Sequence, residues 1–451
     1  MAWNGETIDE LRAALAGGVT TSEQLTTRCL DRITARNPRL NAFITITAEA
    51  ALATARAADR ERAGGATVGP LHGIPISIKD LIDQAGLPNT AGSRLRRDVV
   101  AATDATVTAR LKRAGAVLVG RTNLHEFAFG TTTEDSGFGL ARHPIDDTRS
   151  PGGSSGGSGI AVKTGMSLAS IGTDTGGSIR IPAAACGVVG LKPGWSEIPA
   201  DGVVPLSRQL DHVGPLARTV TDAWLVHEIL AGREPAGDAR LTPATLKGAR
   251  IGLLGGYFWE RMAVEVEAVA RAGIEALQRA GATVEPVTLP HAGDMAAIYL
   301  HLVFGDAAAY HAATLESHPG DYTANVRLRL ELGRYVLAED YGRAMRGREM
   351  IAREIDQALE GRVALVCPTL PIAAPPIGAA TVPVRGGDEP VRNAMLRLTQ
   401  PFNLGRQPAV SLPCGLTTQG LPVGLQLVGP FGHTLQLLQL AAACERVLPE
   451  S

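Results

Sequence analysis

The chain lacks most of the features that mark secreted, membrane-spanning or nucleic-acid-binding proteins. Its five cysteines, Cys29, Cys186, Cys367, Cys414 and Cys444, are odd in number and widely spaced. With no C-x-x-C pair among them, a disulfide framework or a zinc site is not expected, and small buried thiols in a reducing compartment are. No uninterrupted apolar run approaches the roughly 20 residues that a spanning helix needs. The opening MAWNGETIDE has neither a basic nor an apolar leader segment, so no secretory signal is expected. Charge of one sign is absent too: 43 basic residues face 45 acidic ones, for a formal net charge of −2. No run of like charges marks an interaction tail. These absences predict a cytoplasmic protein that spans no membrane and binds no nucleic acid.

What is present is an ordinary apolar content of 45% over 451 residues, enough for a sizeable core. That length allows two or three average domains or one large α/β unit. Residues 7–63 read as helices, with capping boxes expected at Thr7/Glu10 and Thr20/Glu23 and an apolar face at Leu25, Cys29 and Ile33. Alternating Ile74, Ile76 and Ile78 predict a strand that delivers Lys79 to its carboxyl end. A helix capped by Asp104 and a strand at 116–119 follow. This strand–helix alternation argues for an α/β protein with a covered sheet. Residues 194–218 read as loop, and 249–289 as strand, helix, strand. Residues 295–360 read as helical and rich in Tyr, Arg and His, and strands return at 364–368, 409–415 and 422–429 before a final helix. No repeat or low-complexity linker interrupts the chain. A single domain over 1–451 is therefore expected, with N-terminal helices (1–65), a core (66–225), a helical cap or wall (295–360) and a return to the sheet (361–451).

Three stretches carry the chemistry: GIPISIKD (73–80), SPGGSSGG (150–157) and GTDTGGSIRIPAAACG (172–187). Glycine clusters let backbone N–H groups approach a ligand closely. Ser178 ends Asp174-Thr175-Gly176-Gly177-Ser178, where successive N–H groups can face the point at which a tetrahedral oxyanion forms. Read alone, this is equally a glycine-rich turn with a structural serine, because serine is a weak nucleophile without a base. Lys79 supplies a base only if its pKa falls from about 10.4 towards 7–8, which burial without a paired carboxylate favours. Asp80 or Asp83 would spoil that if either faced the ammonium, and a lone lysine at a strand end is more often a solvated charge. Ser154 in the polar turn is a candidate relay. GGSSG matches the G-x-S-x-G elbow only formally, since turn residues and no strand precede it, and no phosphate-binding loop is present.

Taken together, GxPxxxKD, PGGSSGG and D-x-GGS-I-R-x-P, with 24 positions between Ser154 and Ser178, resemble the amidase signature family. The resemblance covers about 66–225, including GRTNLHEFAFGTTTE (120–134) and DHVGPLARTVTDA (211–223), and resumes in 367–376 and 402–429. It implies a mixed sheet of about eleven strands covered by helices on both faces. It also implies a Ser-Ser-Lys amidase needing no metal or cofactor: Ser178 the nucleophile, Ser154 the relay after a cis peptide at Gly153, and Lys79 the base. Backbone amides of Thr175, Gly176, Gly177 and Ser178 would form the oxyanion hole, with Ser155, Asp174 and Arg180 in support. Gly130, Thr131 and Thr132 would line the acyl site.

Departures from the family pattern are Lys163, expected to run outward to solvent, the WSEIPADG loop placing Trp195 or Glu197 near the site, and Arg406 in place of glycine. The expected activity is that of a stand-alone amidase acting on a small carboxamide, anilide or carbamate. The alternatives are the glutamine-hydrolysing subunit of a tRNA-dependent amidotransferase, or a non-catalytic protein on the same fold. Arg329 matches the arginine that holds glutamine's carboxylate in such subunits, although a helix-surface role is the commoner one. The acidic partner expected before the late T-x-P is replaced, since Leu396 and Arg397 stand there. The aromatic set Tyr299, Phe304, Tyr310, Tyr322, Tyr335 and Tyr341 suggests an aryl or medium acyl group in preference to a charged one. Spacing says nothing of oligomeric state, and the family often forms dimers.

Overall fold

The computed structural model describes residues 6–233, 235 and 240–449. The first five residues of the opening segment lie outside that range. Eleven strands form one sheet: β1 (Phe43–Ile46), β2 (Pro75–Lys79), β3 (Val117–Thr122), β4 (Ala169–Asp174), β5 (Val189–Lys192), β6 (His212–Ala217), β7 (Arg250–Leu254), β8 (Thr283–Val287), β9 (Ala364–Pro368) and two later ones. Between β9 and that last pair a small hairpin, β10 (Thr381–Val384) and β11 (Gly387–Pro390), stands apart. The sheet resumes with β12 (Ala409–Leu416) and β13 (Pro422–Val428). Spatial order is β1-β3-β2-β4-β6-β5-β12-β13-β9-β7-β8, with parallel pairing at β3/β2/β4 and at β9/β7/β8 and antiparallel pairing elsewhere. Strands β2, β3, β4, β6, β9 and β13 are buried along their whole length, which is why near-continuous apolar sequence forms them. Because β2 and β4 are neighbours and run parallel, their carboxyl ends bring Lys79 and Asp174 to the same end of the sheet.

Local signals place most elements and misplace some. Thr7 and Glu10 form the expected capping box, but the second box is Thr21 with Gln24, one residue later than Thr20/Glu23. Gln24 reaches back to the Thr21 N–H while Glu23 is drawn off to Arg56. Asp104 does not cap its helix: its carboxylate accepts from Ala85 N–H and Lys112, and Asp201 accepts from the Thr106 N–H instead. Strand β1, inside a stretch read as helical, exists because it pairs antiparallel with β3, and β6, read as loop, because it sits between β4 and β5. Residues 295–360 are helical, as 295–317, 324–333 and 338–359. Among the described residues no helix is long and apolar enough to cross a membrane. All five cysteines are free and buried, and burial pushes their thiols up to about 12.

Helix 220–230 is tied to helices 8–16 and 434–445 by two carboxylates, Asp222 buried and Glu445 partly so. Asp222 accepts from Ile8 N–H at 2.9 Å, and Glu445 accepts from Val220 N–H at 2.9 Å. Burial raises both to about 7, with Asp9 adding to the rise of Asp222 and Asp222 to that of Glu445. A carboxyl whose native pKa is raised contributes stability that is full below its unfolded value near 4. That contribution declines as pH rises and is lost above about 7. The urea midpoint is therefore expected to be higher at pH 5.5 than at pH 8.5. Asp222→Asn, which keeps the acceptor oxygen and removes the titration, is expected to shrink that difference. An unchanged pH dependence in the variant would refute the assignment.

Candidate active site

Lys79 closes β2 with no exposed surface. Its Nζ donates to Ser154 Oγ at 2.7 Å and to Thr173 Oγ1 at 2.8 Å. Neither neighbouring aspartate faces it: Asp80 is paired with Arg121 and Thr90, and Asp83 accepts from Asn89 at 2.6 Å. Burial lowers Lys79 to about 7, against the weaker opposing pull of Asp174 and Asp211. The lysine is thus divided between ammonium and amine near neutral pH.

SPGGSSGG is an irregular turn that runs into a helix, 156–163, and the Gly153–Ser154 peptide is cis. A Cβ on Gly153 would lie 2.8 Å from the Thr132 nitrogen, so the 130–132 loop packs directly on the Ser154 turn. Ser154 carbonyl accepts from His125 N–H at 3.1 Å. Ser155 holds the other side: its N–H donates to Ser178 O at 3.2 Å and its hydroxyl to Thr173 O at 3.2 Å. Thr131 is buried and Thr132 is partly open.

Ser178 lies in the turn after β4, 5% exposed. The N–H groups of Gly176, Gly177 and Ser178 donate to no acceptor among the described residues, which leaves them available to an incoming oxygen. Gly177 adopts φ 143°, and a Cβ there would overlap Thr399, so glycine is required. A Cβ on Gly176 would overlap the Tyr299 hydroxyl and approach Leu396. Thr175 Oγ1 donates to Asp211 at 2.6 Å. Asp174 binds the turn from below, accepting from Ile179 N–H at 3.1 Å and from Arg180 Nε and Nη2 at 3.1 and 2.9 Å. The Arg180 guanidinium holds Asp174 well below the usual carboxylate range despite burial. Arg180 also donates to Thr399 O, Gln426 and Asn403, joining the turn to the C-terminal strands.

Other expectations are corrected. Lys163 does not run out to solvent; it is half-buried, with Nζ 3.4 Å from Gly187 O. Glu197 is turned to His227 at 3.2 Å and Thr434 at 2.6 Å, while Arg406 lies over Trp195 and pairs with Glu349; among the described residues none of these contacts is to Ser154 or Ser178. Arg329 is not a surface helix residue: it is partly buried and donates to Phe129 O at 2.6 Å, just before the 130–132 loop. Of the aromatic set, Tyr299 and Phe304 are buried at the site, Tyr322 packs on His311, and Tyr335 is 81% exposed. Sequence reasoning missed Thr173, Asp211 and Thr399, although Thr173 lies inside GTDTGGS and Asp211 opens DHVGPLARTVTDA.

A covered mixed sheet with a buried lysine against a serine turn, and a second serine beside free amides, defines a serine hydrolase site of the lysine-based kind. The Amidase family model matches residues 24–438, and the chain belongs to that family of hydrolases acting on C–N bonds. It is 40% identical to a glutamyl-tRNA(Gln) amidotransferase subunit from Chloroflexus aggregans, over 98% of this chain and 96% of that protein. A crystal structure of an amidase, 38% identical, superposes with a TM-score of 0.93 over 98% of this chain and all of that one. A structure described as a vestigial protein complex revealing the origins of an s-triazine catabolic enzyme is 32% identical, with a TM-score of 0.92 over 99% of this chain and 100% of that one.

Proposed function

We propose that the protein hydrolyses the C–N bond of a carboxamide through an acyl-enzyme on Ser178. The observation that carries this reading is the 2.7 Å contact between a fully buried Lys79 and Ser154. A neutral amine retains two N–H donors and gains a lone pair, so it can donate to Thr173 while accepting the Ser154 proton. Ser154 in turn takes the Ser178 proton as Ser178 Oγ attacks the carbonyl; such hydrogen bonds tighten when substrate arrives. The N–H groups from Thr175 to Ser178 receive the oxyanion. Lys79, now protonated, returns the proton through Ser154 to the leaving amine, and water attacks the acyl-enzyme by the same relay.

Two settings are compatible with this chemistry. The curated relatives at about 40% identity support a glutamine-hydrolysing amidotransferase component. Leu396 and Arg397 at the place expected for the acidic partner support an amidase acting in its own right on a small amide, alone or as a homodimer. Purified protein offered aliphatic and aryl amides, anilides, carbamates and glutamine should release amine and acid, with Ser178→Ala lower by about 10^4-fold or more. An active Ser178→Ala enzyme would sink the assignment. Release from glutamine only, or only with added partner subunits, would select the amidotransferase setting.

A further inference from the structure

We propose that Asp211 is a positioning residue for the oxyanion turn: it fixes Thr175, and is itself held from the helical wall through Ser207, Asp306 and Tyr341. This rests on the acyl-enzyme reading above and adds the group that sets the turn from outside it. Asp174 holds the turn from below, whereas Asp211 reaches it from the segment that leads into β6. Thr175 Oγ1 donates to the Asp211 carboxylate at 2.6 Å, and the Leu206 and Ser207 N–H groups donate to it at 3.0 and 3.2 Å. With its own N–H given to Ser207 O at 2.8 Å, Asp211 closes residues 206–211 into a tight loop against the turn. Ser207 Oγ donates onward to Asp306 at 2.5 Å, and the Tyr341 hydroxyl donates to the other Asp306 oxygen at 2.7 Å. Asp306 belongs to helix 295–317, seven positions after Tyr299, whose hydroxyl lies against Gly176. That separation puts both on one helix face. A single helix therefore touches the oxyanion turn directly and again through the 206–211 loop.

The same carboxylate acts on the base. The donors it accepts from are neutral, a hydroxyl and two backbone N–H groups, so its charge is left to act on Lys79, whereas Asp174 is paired with Arg180. Burial raises Asp211 to about 6, against those donors and the charge of Lys79. Its negative charge in turn opposes the fall in the Lys79 pKa, second to that of Asp174. Around the two groups stand Asp174 with Arg180, the His212 ring, which burial keeps neutral, and the Tyr299 phenol, which burial keeps protonated. A carboxylate offers two oxygens to three donors, which the single carbonyl of an asparagine cannot match. Removing its charge would let Lys79 fall further, because the ammonium would lose an attraction and keep its desolvation cost.

The test is the rate at which a fluorophosphonate labels Ser178, read by mass spectrometry on protein whose folding is checked by circular dichroism. Ser178 Oγ bonds phosphorus, fluoride leaves and the serine proton passes through Ser154 to Lys79, so labelling uses the same relay and the same turn. Thr175→Val, which keeps the backbone N–H and removes the hydroxyl, is expected to slow labelling about 10- to 100-fold. Thr175→Ser should restore most of the rate, which a packing role for the methyl group would not do. Tyr341→Phe, remote from the serines, should slow labelling about 2- to 10-fold. Asp211→Asn should slow it as well and move its pH limb below 7, while Thr175→Val leaves the limb in place. If Asp211→Asn does not fold, the Thr175 variants and Tyr341→Phe decide the matter. A parent-like rate in Thr175→Val or Tyr341→Phe, or an unmoved limb in Asp211→Asn, would overturn the proposal and leave the acyl-enzyme reading standing. A folded parent protein that is not labelled at Ser178 would sink that reading and the proposal with it.

Discussion

Lys79→Met is expected to lower kcat by about 10^4-fold or more, because the proposed relay passes the Ser154 proton to Lys79 and no other titratable side chain among the described residues bonds the Ser154 hydroxyl. In the unaltered enzyme, kcat/KM should rise with pH along a limb centred near 7, where burial places Lys79, since only the amine acts as base. The same substitution carries a stability signature. A lysine whose native pKa is lowered costs stability at every pH where the unfolded chain holds the proton more tightly. The cost is complete below about pH 7 and fades as pH rises towards the unfolded value near 10.4. The stability of Lys79→Met relative to the parent should therefore be most favourable below pH 7 and decline above it. Methionine also strands the Ser154 and Thr173 hydroxyls, which shifts the whole curve without changing that slope. Urea unfolding from pH 6 to 9.5 measures it; parallel curves for the two proteins would show that Lys79 is not perturbed. A pH–rate limb centred near 10 would contradict its role as a base poised at neutrality.

Asp174→Ala should have the largest effect on folding, about 3–5 kcal/mol, as expected when one partner of a buried ion pair is removed. Arg180 would keep its contacts to Gln426, Asn403 and Thr399 but lose both bonds to the carboxylate. The positive charge of the pair would then be buried without its partner. The turn bearing Ser178 would also lose the acceptor for the Ile179 N–H, so residual folded protein should show a reduced kcat. Because Asp174 sits below the usual carboxylate range, the stability it supplies is present above the unfolded value near 3.9. It is lost as pH falls below that value towards the native one. The parent should therefore lose stability steeply below pH 4, and the variant less so. A variant within 1 kcal/mol of the parent in urea unfolding would show that the pair adds little beyond its own desolvation.

Much of this site was legible beforehand because its parts are local. A strand that ends in lysine, a glycine turn that ends in serine and a serine-rich turn before a helix each follow from φ/ψ freedom and apolar patterning over a few residues. The 24-residue spacing joined them into a recognisable set. The misplaced elements share the opposite property. Strand β1 owes its form to β3 some 75 positions away, and the cap of helix 106–113 comes from Asp201.

By itself, then, the sequence determined the pieces: the strand that ends in Lys79, the turn that bears Ser154 and the glycine turn that ends in Ser178 are short segments whose conformations are set locally. Only the tertiary structure decided whether Lys79 is poised near neutrality, because that depends on its complete burial and on Asp80 and Asp83 being engaged elsewhere. It likewise decided that Thr175 meets Asp211, 36 positions away, and that Ser207 meets Asp306, 99 positions away. Burial and charge proximity are sums over every element that packs around a group, and no window along the chain contains those elements.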